Sequence, residues 1–163
     1  EIGYGSGIYM PTLGGLCQKL YGVDVHPYPA AVSQVLAAHG IAAELTIGPA
    51  EALPYDEADF DAVVAVSSLE FVQDIDTAMA EVRRVLRPDG IAVFVMPGFS
   101  SALDVGLRVL TGHRAEDTFE GRRPGVLPAI RRRFSIDRTR RYLPAPGPAF
   151  YTAVRVSRRS HVE

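Results

Sequence analysis

Glu1-Ile2-Gly3-Tyr4-Gly5-Ser6-Gly7 opens the chain, and Asp24 stands 21 residues after Gly3. Glycines at alternate positions let a backbone turn sharply and come close to a ligand, because no Cβ holds it off. The segment after Gly7 reads as helical, and a helix N-terminus offers unpaired N–H groups and a partial positive charge. Asp24 lies near the end of Leu20 to Val25 (LYGVDV), a short β-favouring run. An acid at that spacing, on the tip of the neighbouring strand, is placed to accept both ribose hydroxyls of an adenosine-type ligand. Turn and acid together predict a nucleoside cofactor.

Outward from this motif the chain alternates between helix and strand signals. A helix is expected from about Tyr28 to His39, closed by Gly40, and a strand from Ala42 to Ile47. Phe60 to Val66 (FDAVVAV) is a near-continuous apolar run, as in a strand covered on both faces. Asp76 to Leu86 carries apolar residues at helical spacing, with Asp76 as the expected cap. Pro88-Asp89-Gly90 is expected to turn the chain into a buried strand over Ile91 to Met96. Further on, helices are expected over Ser101 to Leu110 and Pro128 to Phe134, with a polar loop between. Phe134 to Leu143 and Phe150 to Ser157 then read as strands joined by PAPGPA, a connection short enough only for an antiparallel hairpin.

Strands spaced by helices mean a parallel sheet. The expectation is one α/β domain over 1–163, a doubly wound, mostly parallel Rossmann-like sheet ending in an antiparallel hairpin. Residues 1–97 form its cofactor-binding half.

Composition narrows the function. The 163 residues are 47% hydrophobic and 22% charged, close to globular averages. No apolar run reaches the ~20 residues of a membrane span, so a soluble, cytoplasmic chain is expected. One cysteine excludes a disulfide framework and a cysteine zinc cluster, and Cys17 reads as a small buried residue. Lys19, the one lysine, sits in Gln18-Lys19-Leu20, so a phosphate loop of the Gly-Lys-Ser/Thr type is excluded. No tyrosine stands four residues before it, which removes a Tyr-x-x-x-Lys dehydrogenase pair.

Charge is divided along the chain. Residues 1–100 carry a net −9 and residues 101–163 a net +7. The arginines Arg131-Arg132-Arg133, Arg138, Arg140 and Arg141 lack interleaved aromatics. They read as a solvated helix face and strand edge balanced by the acidic half, with no specific nucleic-acid partner.

The third glycine falls one residue earlier than in the dinucleotide pattern G-x-G-x-x-G. Glu1 beside the turn would repel a pyrophosphate and attract the ammonium of a methionine moiety, favouring S-adenosylmethionine over NAD. At this point the sequence resembles the class I S-adenosylmethionine-dependent methyltransferases of the small-molecule, methyltransferase-11-like group. EIGYGSG resembles the first motif, VDVH the acidic ribose motif and GPAEALPY the adenine loop. FDAVVAVSSLEFVQD resembles the fourth strand and its exit, and EVRRVLRPDGIAVFV the helix and strand that follow. The match runs in order to about residue 97.

The resemblance implies S-adenosylmethionine as cofactor, no metal, a small-molecule methyl acceptor, and a last strand inserted antiparallel. It implies cofactor contacts from Glu1, Gly3, Tyr4, Gly5, Gly7, Asp24, Val25, Ala50, Glu51 and Ser67. For Tyr4 two placements are open, over the methionine end of the cofactor or covering the glycine turn. Methyl transfer relies on alignment of acceptor, methyl and sulfur, and a base is needed only for an acceptor that must lose a proton. Glu70 and His26 are the candidates for that base, and no catalytic residue is assigned. In the adenine loop Pro49 stands where the family usually has an aspartate. Glu51, a backbone carbonyl or apolar packing by Leu53 would have to replace it. The first strand, central in this family, is expected to begin upstream of Glu1, in an extension that also carries a helix covering the acceptor pocket. The alternative reading is a non-catalytic adenosine-ligand-binding or scaffold domain that kept the fold.

Overall fold

The computed structural model describes residues 1–97, 122–142 and 151–158. After the glycine turn comes α1 (Met10–Gly14), a single helical turn with Pro11 in its first residues. Strand β1 (Tyr21–Asp24) leads into α2 (Pro29–Ala38), and β2 (Glu44–Ile47) pairs with β1 in parallel. Strand β3 (Phe60–Val66) pairs in parallel with β4 (Leu86–Pro97) across helix α3 (Ile75–Val85). Helix α4 (Arg123–Arg133) runs straight into β5 (Phe134–Tyr142), and β6 (Tyr151–Arg158) lies antiparallel to both β4 and β5. The order in this second sheet is β3-β4-β6-β5, so the last strand is inserted antiparallel, as expected.

One residue joins the two sheets. Ile2 forms parallel bridges to Val23 of β1 and Ala65 of β3. Its N–H donates to the Val64 carbonyl at 2.8 Å, and the Gly3 N–H to the Val23 carbonyl at 2.8 Å. The Val23 N–H in turn donates to the Glu1 carbonyl at 3.0 Å. Residues 1–3 therefore hold the place between β1 and β3 that the sequence assigns to the end of a central strand. Behind Ile2, a cleft between the two strands is lined by Tyr21, Tyr55, Phe60 and Ala62.

Two apolar clusters flank this junction. The larger packs Met79, Val82 and Val85 of α3 and Ile130 of α4 against Phe94, Val154 and Val156 of the sheet. The smaller gathers Tyr4, Met10, Leu20, Val32 and Leu36 beneath α1 and α2. Among the described residues no helix is long and apolar enough to cross a membrane.

Several boundaries differ from the sequence reading. The cap of α3 is Asp74, not Asp76: its carboxylate accepts the Thr77 N–H at 3.0 Å and the Thr77 hydroxyl at 2.6 Å. Asp76 instead pairs with Arg132 of α4. Pro88-Asp89-Gly90 does not interrupt the strand, because Leu86 already pairs with Phe60 and the exposed residues 87–89 bulge outward before Ile91 resumes the ladder. Helix α4 begins five residues before the expected Pro128. Pro124 sits in its first turn, where a missing N–H costs nothing. Cys17 is exposed rather than buried, its thiol directed at the Leu13 carbonyl. The helix expected over 101–110 and the PAPGPA turn lie outside the described residues.

Phe94 is fully buried, with its ring centroid 6.1 Å from that of Phe134. Phe94→Ala is expected to destabilise the domain by about 3–5 kcal/mol, the usual cost of emptying a large aromatic site. Urea denaturation monitored by circular dichroism measures this, and a loss under 1 kcal/mol would mean that the α3–α4 face is not the main core.

Candidate cofactor and acceptor site

Gly3 to Gly7, Asp24, Val25 and Ser67 lie at the carboxyl ends of β1, the Ile2 segment and β3, where open α/β sheets hold their ligands. Gly3, Gly5 and Gly7 all have positive φ, at +72°, +52° and +78°. At Gly3 the requirement is also steric. A Cβ there would lie 2.3 Å from the Ser68 Cβ, so any side chain would push the turn off the exit of β3. Around Gly5 no atom lies within 4 Å of such a Cβ, leaving the turn open on its ligand-facing side.

Asp24 ends β1 against this turn. One carboxylate oxygen accepts the Gly5 N–H at 2.7 Å and the other accepts the His26 N–H at 3.2 Å. A carboxylate has about four acceptor positions, so two remain open to further donors. Val25, beside it, is 71% exposed and offers an apolar surface at the strand tip. Glu1 is half-buried, and both its carboxylate oxygens lack a partner. Burial pushes its carboxyl above the ordinary carboxylate value, and the Asp24 charge raises it further. These oxygens are buried, and Glu1 also lines the cleft behind Ile2; an unpaired carboxylate two residues from the glycine turn is chemically suited to a cation.

Other expected contacts are placed differently. Tyr4 does not reach over the turn. It is 2% exposed within the cluster under α1 and α2 and meets the His26 ring edge-on, so it packs below the turn rather than over the methionine end of a ligand. α1 is only one turn long, too short for the helix N-terminus to add much to the site. The Glu51 carboxylate accepts the Gln73 and Asp74 N–H groups at 3.1 and 3.2 Å, which ties the Ala50–Glu51 loop to the start of α3. Ala50 is buried in the main core.

Ser67 takes a left-handed φ of +49° at the exit of β3. That bend presents Ser68, whose hydroxyl donates to the Ile2 carbonyl at 2.8 Å. Sequence reasoning missed Ser68, and the only local signal was a pair of small polar residues directly after an apolar run. It also missed the network under the loop at Leu53. The Arg84 guanidinium donates to Glu81 at 2.7 Å and to the Tyr55 and Leu53 carbonyls at 2.7 and 3.0 Å. The Glu81 carboxylate accepts the Leu53 N–H at 3.0 Å. Arg84 accordingly holds the Glu81 carboxyl below the ordinary carboxylate range.

The two base candidates have opposite surroundings. His26 has both ring nitrogens engaged, one receiving the Tyr28 N–H at 3.1 Å and the other 2.8 Å from the Gly5 carbonyl. Glu70 is 1% exposed, with no hydrogen bond to either carboxylate oxygen. It lines a small cavity with Met96, Pro97, Arg123 and Val126 at the carboxyl ends of β3 and β4. Desolvation raises its carboxyl above the ordinary value, and the nearby Arg123 charge opposes this.

The fold is an α/β domain with an open glycine turn and an acidic strand tip at the carboxyl ends of its central strands. The chain belongs to the family described as "Methyltransferase domain", whose match covers residues 1–94. It is 32% identical over 93 residues to the sterol 4-C-methyltransferase strm-1 of Caenorhabditis elegans, covering 55% of this chain and 28% of that one. It is 36% identical over 84 residues to a malonyl-[acyl-carrier protein] O-methyltransferase of Geobacter sulfurreducens, covering 44% and 32%. The chain thus spans about a third or less of these relatives' length. The solved structure of the [4+2]-cyclase SpnF superposes with a TM-score of 0.73 at 18% identity, covering 96% of this chain and 73% of that one. The family implies S-adenosylmethionine, and the open turn, Asp24 and the orphaned Glu1 carboxylate fit it.

Glu70 gives a test with a defined sign. Its raised pKa means that the folded state holds this proton more tightly, so stability falls as pH rises above the unfolded carboxyl's ~4.3. Glu70→Gln removes that penalty. The variant should be more stable than the parent at pH 7–8 and equal to it near pH 4, read from urea midpoints. A variant less stable at pH 7 would show that the carboxylate is compensated in the fold.

Proposed function

We propose that this domain binds S-adenosylmethionine at the glycine turn and directs its methyl group to a small-molecule acceptor. The observation that carries the reading is the joint placement of Gly3 to Gly7, Asp24 and Glu1 around one open turn. When bound, the cofactor supplies a sulfonium-activated methyl group. Asp24 would take the ribose hydroxyls, Val25 and the loop at Ala50 would border the adenine, and Glu1 would face the methionine ammonium. The protein's contribution to rate is alignment, the term by which a bound pair gains over free reactants. Glu70, unpartnered at the acceptor end, is the described side chain best placed to take a proton from a hydroxyl or amine acceptor.

Both relatives named above carry methyltransferase in their names, which supports methyl transfer, and the sterol named for one of them supports a small-molecule acceptor. A second reading, a non-catalytic adenosine-ligand-binding or scaffold domain that kept the fold, is supported by Pro49 at the adenine loop.

Calorimetric titration separates the possibilities. S-adenosylhomocysteine should bind, and Asp24→Ala should weaken it by roughly 1.5–3 kcal/mol, the range for hydrogen bonds to a charged group. Equal affinity in parent and variant would remove Asp24 from the site. Tighter binding of NAD would overturn the cofactor assignment.

A further inference from the structure

Building on that cofactor reading, we infer that His26 is a positioning residue that latches the ligand-facing turn. It works only as the neutral ring protonated at Nε2. The Tyr28 backbone N–H donates to Nδ1 at 3.1 Å, so Nδ1 carries no proton. A neutral imidazole must then hold its proton on Nε2, which lies 2.8 Å from the Gly5 carbonyl and donates to it. On the other side, the Gly5 N–H donates to Asp24 at 2.7 Å. Both polar groups of Gly5 are therefore tied to the exit of β1. Gly5 has no side chain, and among the described residues no atom lies within 4 Å of its Cβ position.

The ring itself is held on two sides. Tyr4 meets it edge-on at 4.9 Å and Tyr28 stacks at 6.1 Å. The titratable groups around it are the Tyr4 and Tyr28 phenols and the Asp24 carboxylate, which also accepts the His26 N–H. Glu1 lies behind Asp24 and interacts with it. Protonating the ring puts an N–H on Nδ1 against the Tyr28 N–H, two donors facing each other. The ring must swing, and the Gly5 carbonyl is released. A ring with both nitrogens committed in this way orients the turn and does not abstract protons from an acceptor.

The test uses the full chain with S-adenosylhomocysteine at pH 8 and pH 5.5, in the parent, His26→Gln, His26→Ala and Glu1→Gln. A glutamine amide can still donate toward Gly5 but does not titrate. Parent affinity should fall about tenfold on acidification, the worth of one lost hydrogen bond. His26→Gln should be within about threefold of the parent at pH 8 and flat with pH, while His26→Ala should be about tenfold weaker at pH 8. Glu1→Gln removes the other carboxyl near the site whose protonation could weaken binding, so the comparison between parent and His26→Gln is repeated in that background, where the difference between them should persist. Native affinity in His26→Ala, or the parent's pH dependence in His26→Gln, would overturn the inference. Hydrogen exchange of the Gly5 amide, read without ligand, gives a second measure. It should be about tenfold faster in His26→Ala and restored in His26→Gln. If the parent binds no S-adenosylhomocysteine, the cofactor reading fails, and the exchange rates still decide the latch.

Discussion

The backbone hydrogen bonds of residues 1–3 are the constraint on which the rest depends. Among the described residues, sheet β1-β2 and sheet β3-β4-β6-β5 share no direct strand pairing, and Ile2 forms the bridges to both. Each bond in this seam replaces a buried backbone group that would otherwise cost ~1–3 kcal/mol unpaired. The same residues lead directly into the glycine turn, so joining the sheets and shaping the site are one structural event. Ser68 reinforces it from β3, through its bond to Ile2 and its packing against Gly3. Ile2 belongs to the larger apolar cluster and Tyr4 to the smaller, so the motif crosses from one core to the other within three residues.

Much of this was legible in the residues. The spacing of Gly3 and Asp24 placed the turn beside the acidic strand tip, and FDAVVAV marked a strand that the structure reproduces at both ends. The hairpin pairing of β5 with β6 also followed from the shortness of its connection. The failures have physical causes. Asp74 and Asp76 are equally good caps by residue type, and only the backbone bend before Ile75 decides which reaches the Thr77 N–H. Pro88 reads as a breaker, yet it stands where β4 bulges away from β3 and needs no ladder bond. The orientation of Tyr4 depends on the hollow that Gly22 leaves, where a Cβ would come within 2.7 Å of its ring. No local pattern reports such a cavity. His26 was visible as a histidine near the site, but its role depends on contacts with Gly5 and Tyr28 that exist only in the fold.

The titration behaviour of three glutamates follows the same division between framework and site. Glu81, satisfied by Arg84 and the Leu53 N–H, is held ionised and braces the loop from below. Glu1 and Glu70, both unpartnered, are pushed the other way by burial. Perturbed carboxyls of that second kind concentrate where ligands bind, because the missing partner is supplied from outside.

Strand β6 lies between β4 and β5 yet follows both in the chain. This order has a consequence for synthesis on the ribosome. Chains emerge from their N-terminus, so β3 and β4 can pair while β6 is still being made. Until residue 158 is free, the edge of β4 at Ile91 to Pro97 has no described strand to accept its hydrogen bonds. An unpaired edge rich in Val93, Phe94 and Val95 is a template for strands of other nascent chains. β5 cannot protect it, since its only described strand partner is β6. The interval between translation of β4 and arrival of β6 is the period in which this domain is most exposed to misassembly, and it closes only with the last described strand.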